Sequence, residues 1–514
     1  MLQIKKLTIT HRKDLRVILE DFNLVLNPGD KAVIIGEEGD GKSTLIQWIY
    51  NPELVLSYAE CEGERILNSE RIGFLHQELP DEDKTKSLYE YFTEAQLFFD
   101  KNPAELATLA GKFHVPQDFY YLEQQMGSLS GGEKIKAQLM RLFIDEPTAL
   151  LLDEPSNDID IATLELLEKI INEWEGIVLF VSHDEVLIER TANMVVHIEQ
   201  IMRKTKSRYT VARLPYRTYI EERLHKFELQ TKQALMDRRE KKIRDEKYMR
   251  VMQSVESALG NVSRQVPSVG KNLKDKMHTV KAMGKRFERE DAQMTQMPEQ
   301  EEAIFFKLGG DSSAMPTGKT VVEFKLDKLL TPDNIRELAH DIYLQIRGPK
   351  KVCIVGENGV GKTTLLKIMA DEMLARDDIH AEYMPQNYEE LLDMEQTPVD
   401  FLDSSGDKEE RTRIRTYLGA LKYTADEMDH PIRELSGGQK AKVFLLKLSL
   451  SDANVLILDE PTRNFSPLSG PVIRQMVSEF PGAVISISHD RKYIDEVCDT
   501  VYRLTSEGLV PVQK

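Results

Sequence analysis

Cysteine is scarce in this chain, which has only three cysteines in 514 residues. Cys61, Cys353 and Cys498 lie far apart and do not share the short spacings at which zinc ions or iron–sulfur clusters are held. A disulfide framework is equally unexpected, because such frameworks need paired and closely grouped cysteines. The pattern is typical of reduced thiols and predicts a cytoplasmic protein.

Long apolar runs are also missing. The longest candidates, residues 149–152 and 177–181, have the length of strands and fall far short of the ~18 residues that a membrane helix needs. The first six residues contain no apolar signal region, so we expect no secretion. A hydrophobic content of 41% and a charged content of 30% are those of a globular protein, and the length predicts more than one domain.

A phosphate-binding pattern, G-x-x-x-x-G-K-[ST], occurs twice. Residues 36–44 read GEEGDGKST and residues 356–364 read GENGVGKTT, each between an apolar strand-like run and a helical pattern. Glycines let the backbone curl so that its N–H groups point at phosphates, and the helix N-terminus adds partial positive charge. The predicted nucleotide-binding residues of these loops are Gly36, Gly39, Gly41, Lys42, Ser43, Thr44, Gly356, Gly359, Gly361, Lys362, Thr363 and Thr364.

Three further motifs follow each phosphate loop in the same order. They are an LSGG segment, an apolar run that ends in Asp-Glu-Pro, and a Ser-His-Asp segment. The serine of LSGG precedes the glutamate by 24 residues in both halves, and the glutamate precedes the histidine by 29 residues in both halves. Chance does not preserve such spacings, so the chain contains two copies of one domain, which we call cassettes.

These motifs resemble the Walker A, signature, Walker B and H-loop elements of ABC ATPases, and the resemblance covers essentially the whole chain. It implies an α/β fold with two P-loop ABC ATPase domains, ATP and Mg²⁺ as cofactors, and hydrolysis of ATP to ADP and phosphate. Gln77 and Gln386 resemble the Q-loop glutamines of the family. The implied catalytic residues are Glu154, Glu460, His183, His489, Gln77 and Gln386, and the implied Mg²⁺ ligands are Ser43, Gln77, Asp153, Thr363, Gln386 and Asp459.

In ABC ATPases each signature segment serves the ATP that the opposite cassette holds. Site one is thus expected to combine the motifs of the first cassette with Ser436 and Gly438, and site two those of the second cassette with Ser130 and Gly132. The full set of signature residues expected at nucleotide is Ser130, Gly131, Gly132, Ser436, Gly437 and Gly438.

The two halves differ after the catalytic glutamates. Asp160 matches the acid that the family usually has in its D-loop, whereas Ser466 stands at the matching position of the second half. The first half also has Ser156 and Asp158 where the family usually has Thr and His. Because both glutamates are present, we expect both sites to hydrolyse ATP, and the differences between the halves predict unequal rates.

About 120 residues separate the cassettes, too many for a plain loop. We predict a first cassette at residues 1–200, a linker at 201–319 and a second cassette at 320–514. Residues 219–259 contain neither proline nor glycine and are rich in helix formers, and an apolar face recurs from Leu273 to Phe287. The linker is therefore predicted to be an α-helical hairpin with a loop at residues 261–271.

Charge reverses sign in this linker. The whole chain has a net charge of −18, yet residues 231–287 contain fifteen Lys or Arg and six Asp or Glu. A basic helix pair favours contact with a nucleic-acid backbone, although a solvated coiled coil of mixed charge would give a similar pattern. The RNA-contact candidates are Arg264, Lys271, Lys274 and Lys276.

Tandem cassettes with a long helical linker and no transmembrane domain resemble the ABC-F proteins, and most closely their antibiotic-resistance group for lincosamides, pleuromutilins and streptogramin A. The resemblance implies binding near the ribosomal tRNA exit site, with the linker directed at P-site tRNA, large-subunit rRNA and the peptidyl-transferase centre. It also implies a monomer in which one cassette pairs with the other, without a membrane partner. A housekeeping ABC-F translation factor and the ATPase subunit of an ABC transporter remain as alternatives.

Overall fold

The computed structural model describes residues 1–157, 159–201, 206–260, 267–292, 294–295, 297, 307–309, 313–331 and 335–512. The chain forms two compact units. One unit, Met1–Tyr216 with Glu301–Lys514, contains both cassettes, and the other, Arg217–Gln300, contains the helical linker. Within the described residues, no helix is long and apolar enough to cross a membrane.

The first cassette is built on a six-stranded sheet of order β5-β6-β7-β3-β8-β9, in which only β9 runs antiparallel to its neighbour. A three-stranded antiparallel sheet, β2-β1-β4, packs beside it. The strands are β1 (Leu2–His11), β2 (Val17–Leu26), β3 (Lys31–Ile35), β4 (Ala59–Leu67), β5 (Ile72–Leu75), β6 (Ala149–Asp153), β7 (Ile177–Val181), β8 (Met194–Ile201) and β9 (Lys206–Ala212). The helices are α1 (Lys42–Tyr50), α2 (Asp81–Lys84), α3 (Leu88–Thr93), α4 (Pro103–Lys112), α5 (Gly131–Ile144), α6 (Ile161–Glu173) and α7 (Glu185–Thr191).

The linker contains two long helices, α8 (Tyr216–Gly260) and α9 (Pro267–Asp291). At a rise of ~1.5 Å per residue, the 45 residues of α8 span about 67 Å. The start of α9 corrects the sequence-based prediction, because residues 267–271 belong to the helix and not to the loop. Proline at a first helical position explains this, since its fixed φ angle is already helical and it lacks an N–H that would be unpaired there.

The helices of the linker pack antiparallel through a narrow seam. Tyr248 contacts Phe287 edge to face, with ring centroids 5.7 Å apart, and the guanidinium of Arg244 lies 4.5 Å from the centroid of the Phe287 ring. Arg244 also pairs with Asp291. Gly284 permits this approach, because a Cβ there would lie 2.6 Å from the Tyr248 hydroxyl oxygen. Aromatic and ionic contacts thus join the helices at this point, Ala234 and Val280 are buried as well, and most basic side chains of the hairpin are exposed.

The second cassette repeats the first. Its six-stranded sheet has the order β13-β14-β15-β12-β16-β17, and β10 pairs with β11 in a separate antiparallel ribbon. The strands are β10 (Thr320–Leu330), β11 (Glu337–Arg347), β12 (Lys351–Val355), β13 (Ala381–Met384), β14 (Val455–Asp459), β15 (Ala483–Ile487), β16 (Thr500–Thr505) and β17 (Gly508–Val512). The helices are α10 (Lys362–Leu374), α11 (Pro398–Leu402), α12 (Lys408–Ala420), α13 (Ala425–Asp429), α14 (Gly437–Leu450), α15 (Gly470–Glu479) and α16 (Arg491–Val497).

The parallel strands place the motifs at one edge of each sheet. Strands β6, β7, β14 and β15 are buried along their entire length, as expected of strands covered on both faces. The phosphate loops follow β3 and β12, and the Asp-Glu pairs end β6 and β14. Because the carboxyl ends of parallel strands meet at the same edge, these motifs converge there. The fold predicted from sequence, two ABC ATPase domains joined by a helical hairpin, is confirmed.

Candidate active sites at the cassette interface

The phosphate loops end in glycines that other residues could not replace easily. Gly41 and Gly361 directly precede α1 and α10 and have φ angles of 90° and 100°. A Cβ on Gly41 would lie 2.1 Å from Cγ2 of Ile18, so the position excludes a side chain by space as well as by conformation. The loop therefore delivers the chain into the helix with its first N–H groups exposed to an anion.

A buried lysine is enclosed by each loop. Nζ of Lys42 donates hydrogen bonds to the carbonyls of Gly36 and Glu37 at 3.1 and 3.0 Å, and Lys362 makes the matching bonds to Gly356 and Glu357, both at 2.9 Å. Burial lowers the pKa of Lys362 below its usual value. Each loop therefore presents one desolvated cation at the N-terminus of a helix, an arrangement that suits phosphate oxygens.

Carboxylates end the neighbouring strand of each sheet. The hydroxyl of Ser43 donates to Oδ1 of Asp153 at 3.0 Å. Burial, reinforced by adjacent Glu154, raises the pKa of Asp153 to about 7, and burial raises the pKa of Asp459 to about 6. Hydroxyl and carboxylate oxygens are the donors that Mg²⁺ prefers, and a divalent cation would offset the desolvation of these carboxylates. The residues present therefore fit a magnesium site in each cassette.

The glutamate after each of these aspartates has an unusual backbone. Glu154 and Glu460 have φ angles of 49° and 53°, in the left-handed region that most side chains avoid. Their N–H groups donate to the last carbonyls of the adjacent strands, from Val181 and Ile487, at 3.1 and 3.0 Å. Such strain persists where the surrounding structure fixes it, and it is concentrated at functional sites. The turn therefore fixes the backbone from which both carboxylates project.

The histidines approach these glutamates differently in the two halves. Nε2 of His183 lies 2.9 Å from Oε1 of Glu154, whereas the matching distance from His489 to Glu460 is 3.7 Å. The backbone N–H of His489 also donates to Oε2 of Glu460 at 3.2 Å. Burial, with the charge of Asp459, raises the pKa of Glu460 to about 8. The site-two carboxylate therefore holds a proton more readily than a free glutamate does.

The signature serines are helix caps. The side chains of Ser130 and Ser436 accept hydrogen bonds from the third residues of α5 and α14, Glu133 and Gln439, whose side chains bond back to the serine backbone. This capping box leaves the first glycine N–H groups of each helix available to an external anion. The LSGG segments thus supply two further anion sites.

Site two forms a cavity of about 520 Å³ between the cassettes. Its volume falls within the usual range of small-molecule pockets. From the second cassette its lining includes Asn358, Gly359, Gly361, Lys362, Thr363, Thr364, Gln386, Asp459, Glu460 and His489. From the first cassette it includes Gly131, Ser156, Asn157 and His183. Of the site-two residues that the sequence predicts, Gly356 from the second cassette and Ser130 and Gly132 from the first are not in this lining.

At site one, the space between the phosphate loop and signature helix α14 is nearly filled by side chains, and the pocket there has a volume of only about 20 Å³. Oε2 of Glu38, in the phosphate loop, accepts hydrogen bonds from the N–H of Gly438 and from the hydroxyl of Ser436, the latter at 3.4 Å. Neighbouring Glu37 pairs with Lys422 and Lys442 at 3.3 and 3.2 Å. Burial would raise the pKa of Glu37, but these two lysines hold it below its usual value. A carboxylate therefore caps signature helix α14 at site one.

Sequence reasoning missed the role of these acidic loop residues. The first loop contains Glu37, Glu38 and Asp40, whereas the second has Glu357, Asn358 and Val360 in the same places. The sequence does show this difference, as extra negative charge in a loop that is expected to bind phosphates. The contacts that these carboxylates make could not be predicted, because Gly438 and Lys442 lie some 400 residues away in sequence.

Several predicted residues are less well placed or lie outside the described residues. Gln386 lines the site-two cavity, but Gln77 is exposed just after β5. Asp160 accepts a hydrogen bond from the Thr163 N–H and so caps α6, while Ser466 accepts one from Leu468. Lys271, Lys274 and Lys276 are exposed on α9. Asp158 and Arg264 fall outside the part of the chain that the structure describes.

Two phosphate loops, two signature helices and two acid-ended strands meeting at one interface define a tandem ABC ATPase. The family described as ABC transporter matches residues 19–157 and 339–463, more than half of the chain. The chain belongs to this family.

Two curated relatives match nearly the entire chain. The ribosome protection protein VmlR of Bacillus subtilis (strain 168) is 27% identical over 96% of this chain and 85% of its own length. The energy-dependent translational throttle protein EttA of Haemophilus influenzae is 26% identical over 96% of this chain and 90% of its own length. The tandem cassettes are thus homologous to ABC-F proteins, and the chain is an ATPase.

Among solved structures, the complex of the archaeal ribosome recycling factor aABCE1 with the archaeal ribosomal stalk protein aP1 shares the architecture. The match covers 97% of this chain and 87% of the chain in that structure, with a TM-score of 0.57 and 17% sequence identity. At that identity the likeness supports the fold of a tandem ABC ATPase and nothing finer.

Proposed function

We propose that the chain is an ATP-driven ABC-F factor that binds the ribosome in the cytoplasm and protects it from inhibitors of the peptidyl-transferase centre. The observation that carries this proposal is the basic hairpin on an ATPase whose two cassettes meet at nucleotide sites. VmlR, a relative over 96% of the chain, is named for ribosome protection. The proposal places the hairpin near the tRNA exit site, directed at P-site tRNA and large-subunit rRNA.

At each ATP site the residues have distinct roles in this proposal. Lys42 and Lys362 neutralise the β- and γ-phosphates, and the glycine N–H groups of the loops bind their oxygens. Glu154 and Glu460 orient and polarise the attacking water, and His183 and His489 bind the γ-phosphate. The signature residues, Ser130 to Gly132 and Ser436 to Gly438, bind the γ-phosphate from the opposite cassette.

Magnesium has a defined place in the proposed sites. Ser43 with Asp153 and Thr363 with Asp459 hold the ion directly or through water, and Gln77 and Gln386 complete its environment. When bound, Mg²⁺ neutralises charge that develops on the transferred phosphoryl group. The buried aspartates contribute by fixing these oxygens at the ends of β6 and β14.

In this proposal, ATP binding and hydrolysis control the affinity of the protein for the ribosome. Residues of both cassettes bind the same γ-phosphate, so the closed pair has the higher affinity for ATP and binding shifts the population toward closure. Once the γ-phosphate is cleaved and leaves, those bridging contacts are lost and the pair reopens. Closure fixes the ends of the hairpin and favours the ribosome-bound state, and reopening releases the protein.

The hairpin provides a direct test of ribosome binding. Reversing Lys271, Lys274 and Lys276 to glutamate is expected to weaken ATP-dependent binding to ribosomes by at least about tenfold at 0.15 M salt, because each lysine is exposed on α9. The slope of log affinity against log salt should fall by about three. Co-sedimentation with ribosomes over a salt series measures both quantities.

A matched control reverses three exposed lysines on the first cassette, Lys5, Lys13 and Lys206. This variant has the same net charge as the hairpin variant and should keep near-normal binding. Equal losses in both variants would show that net charge, rather than the hairpin, governs binding. Recovery of the protein with membranes in place of ribosomes would favour a transporter subunit.

Resistance is tested in cells. Deleting the gene is expected to sensitise the strain to lincosamides, pleuromutilins or streptogramin A, and a wild-type copy should restore growth while the hairpin variant should not. Gln77 and Ser130 are 53 positions apart, as against 50 for Gln386 and Ser436, which leaves no room for the arm of the translation-throttle members. Unchanged susceptibility with slowed growth or stalled ribosomes would favour the housekeeping factor.

A further inference from the structure

The two cassettes carry opposite charges at three matched positions. The halves align at a constant offset of 306 residues, which relates Glu154 to Glu460 and His183 to His489. Strands β7 and β15 and helices α7 and α16 keep this offset. At the three positions the first cassette has acid, acid and base, and the second has base, base and acid. The two sets, named here the charge-reversed positions, are Glu168, Glu185 and Arg190 in the first cassette and Arg474, Arg491 and Glu496 in the second.

These residues join the cassettes through two equivalent ion pairs. Oε1 of Glu185 lies 2.7 Å from Nη1 of Arg474, and Oε1 of Glu168 lies 2.5 Å from Nη2 of Arg491. Since Arg474 matches Glu168 and Arg491 matches Glu185, one pair is the pseudo-twofold image of the other. Such reciprocity is the signature of an interface between related domains.

Within each cassette the third position supports one member of a pair. Arg190 lies 3.0 Å from Glu168, and Glu496 lies 2.6 Å from Arg474. Lys492 adds contacts to Glu185 and Glu189 at 2.8 and 2.7 Å, and Arg491 also lies 3.2 Å from Asp184. The signs of the charges are therefore reversed between the cassettes both in the ion pairs within each cassette and in the ion pairs across the interface.

The pairs are desolvated enough for their charges to matter. The side chains of Arg474 and Glu185 are 4% and 7% exposed, and those of Arg491 and Glu168 are 15% and 9% exposed. Burial alone would lower the pKa of both arginines, but Glu185 and Glu168 with their neighbours hold it above the usual value. A charged side chain at one of these positions is therefore unfavourable in the closed interface unless an opposite charge faces it.

Pairing of a cassette with a copy of itself would oppose like charges. Two first cassettes would place Glu168 against Glu185 at both equivalent contacts, and two second cassettes would place Arg474 against Arg491. Buried like charges without partners are unfavourable enough to exclude a wrong partner. We infer that the charge-reversed positions are a pairing code, by which each cassette accepts a cassette of the other type and rejects one of its own type.

This inference goes beyond the proposed function, since it concerns which cassettes can form the ATP sandwich. The code directs closure to one first cassette with one second cassette, and linkage in one chain gives that pair a high effective concentration. It needs neither the ribosome nor the hairpin, so it stands or falls independently of the proposed ribosome protection.

The test uses two full-length variants. An acidic-type chain, Arg474→Glu with Arg491→Glu and Glu496→Arg, carries the first-cassette set in both halves. A basic-type chain, Glu168→Arg with Glu185→Arg and Arg190→Glu, carries the second-cassette set in both halves. Each variant alone is expected to remain monomeric and to lose at least about tenfold of its ATPase rate, because its cassettes repel each other. Light scattering and steady-state ATPase assays measure these two properties.

Mixing the two variants is the decisive measurement. The unmodified first cassette of the acidic-type chain can pair with the unmodified second cassette of the basic-type chain, which rebuilds a native interface between chains. We expect a heterodimer and an ATPase rate well above the sum of the separate rates. If both variants are folded, a mixture that stays monomeric with no gain in ATPase overturns the pairing code.

A neutral variant separates rejection from lost attraction. Arg474→Gln with Arg491→Gln removes both ion pairs without opposing like charges, and should keep several times more ATPase activity than the acidic-type chain. If the neutral and acidic-type variants are equally impaired, the positions attract the correct partner but do not reject the wrong one, and the inference fails.

Discussion

Replacing Glu460 with glutamine is expected to lower kcat for ATP hydrolysis by at least about 10²-fold, the scale on which a positioned general base contributes. The amide has nearly the same shape as the carboxylate but cannot polarise or accept a proton from water. Glu460 lies in the site-two cavity, held by a strained turn and by the His489 N–H. ATP affinity should change little, and single-turnover assays with equilibrium binding separate the two effects.

The matched variant is Glu154→Gln at site one. Because Glu38 occupies the N-terminus of α14 at site one and the loop there carries two extra carboxylates, we expect this site to be the slower one, and the loss of steady-state rate to be several-fold smaller. A larger loss with Glu154→Gln than with Glu460→Gln would reverse the assignment. The double variant should still bind ATP and ribosomes but remain there, and normal release kinetics would contradict the proposed cycle.

Introducing one carboxylate into the second phosphate loop is expected to impair ATP binding at site two. In Asn358→Glu, the new charge copies Glu38 of the first loop and faces the same cavity as Lys362. Like charges 4–5 Å apart repel by about 3–4 kcal/mol at an effective dielectric constant of ~20. After discounting for screening by salt and by Lys362, about 2 kcal/mol remains, or a roughly 30-fold loss of affinity. Titration with a fluorescent ATP analogue in the Glu154→Gln, Glu460→Gln background measures it.

Asn358→Gln is the matched control, since glutamine has the size of glutamate without its charge. An equal loss of affinity in that variant would identify bulk rather than charge as the cause. The reciprocal change, Glu38→Asn, removes the carboxylate that caps α14 and should strengthen nucleotide binding at site one. Unchanged binding there would mean that Glu38 moves aside at no cost when ATP enters.

Unequal sites would suit the proposed cycle, in which the cassettes stay closed on the ribosome before the protein is released. In that cycle, the Glu38 carboxylate at the opposite signature helix would favour closure at site one, and site two, where Asn358 is neutral and lines an open cavity, would respond to ATP. Glu185, which pairs with Arg474 across the interface, also lines the site-two cavity, so one of the two ion pairs lies beside that site. The proposed difference between the sites rests on a few residues in otherwise matching halves, among them Glu38 and Asn358.

Much of the fold follows from local sequence. A phosphate loop can be recognised because Gly41, Lys42 and Ser43 act within a few residues of one another, and the equal spacings identify the repeat. Helix α8 is predicted within three residues of its start, because a long segment without proline or glycine has few alternatives. The start of α9 was misplaced, since an apolar periodicity marks where a helix packs and not where it begins.

The sequence by itself determined that this chain contains two ATP-binding cassettes and a basic helical linker, because the loops, caps and buried strands that make them are encoded by neighbouring residues. Only the tertiary structure decided that the sites are unequal in shape, that Glu38 reaches Gly438, and that Glu185 meets Arg474 while Glu168 meets Arg491. These contacts join residues about 290 to 400 positions apart. Their energies depend on how two folded surfaces meet, which no short stretch of sequence specifies.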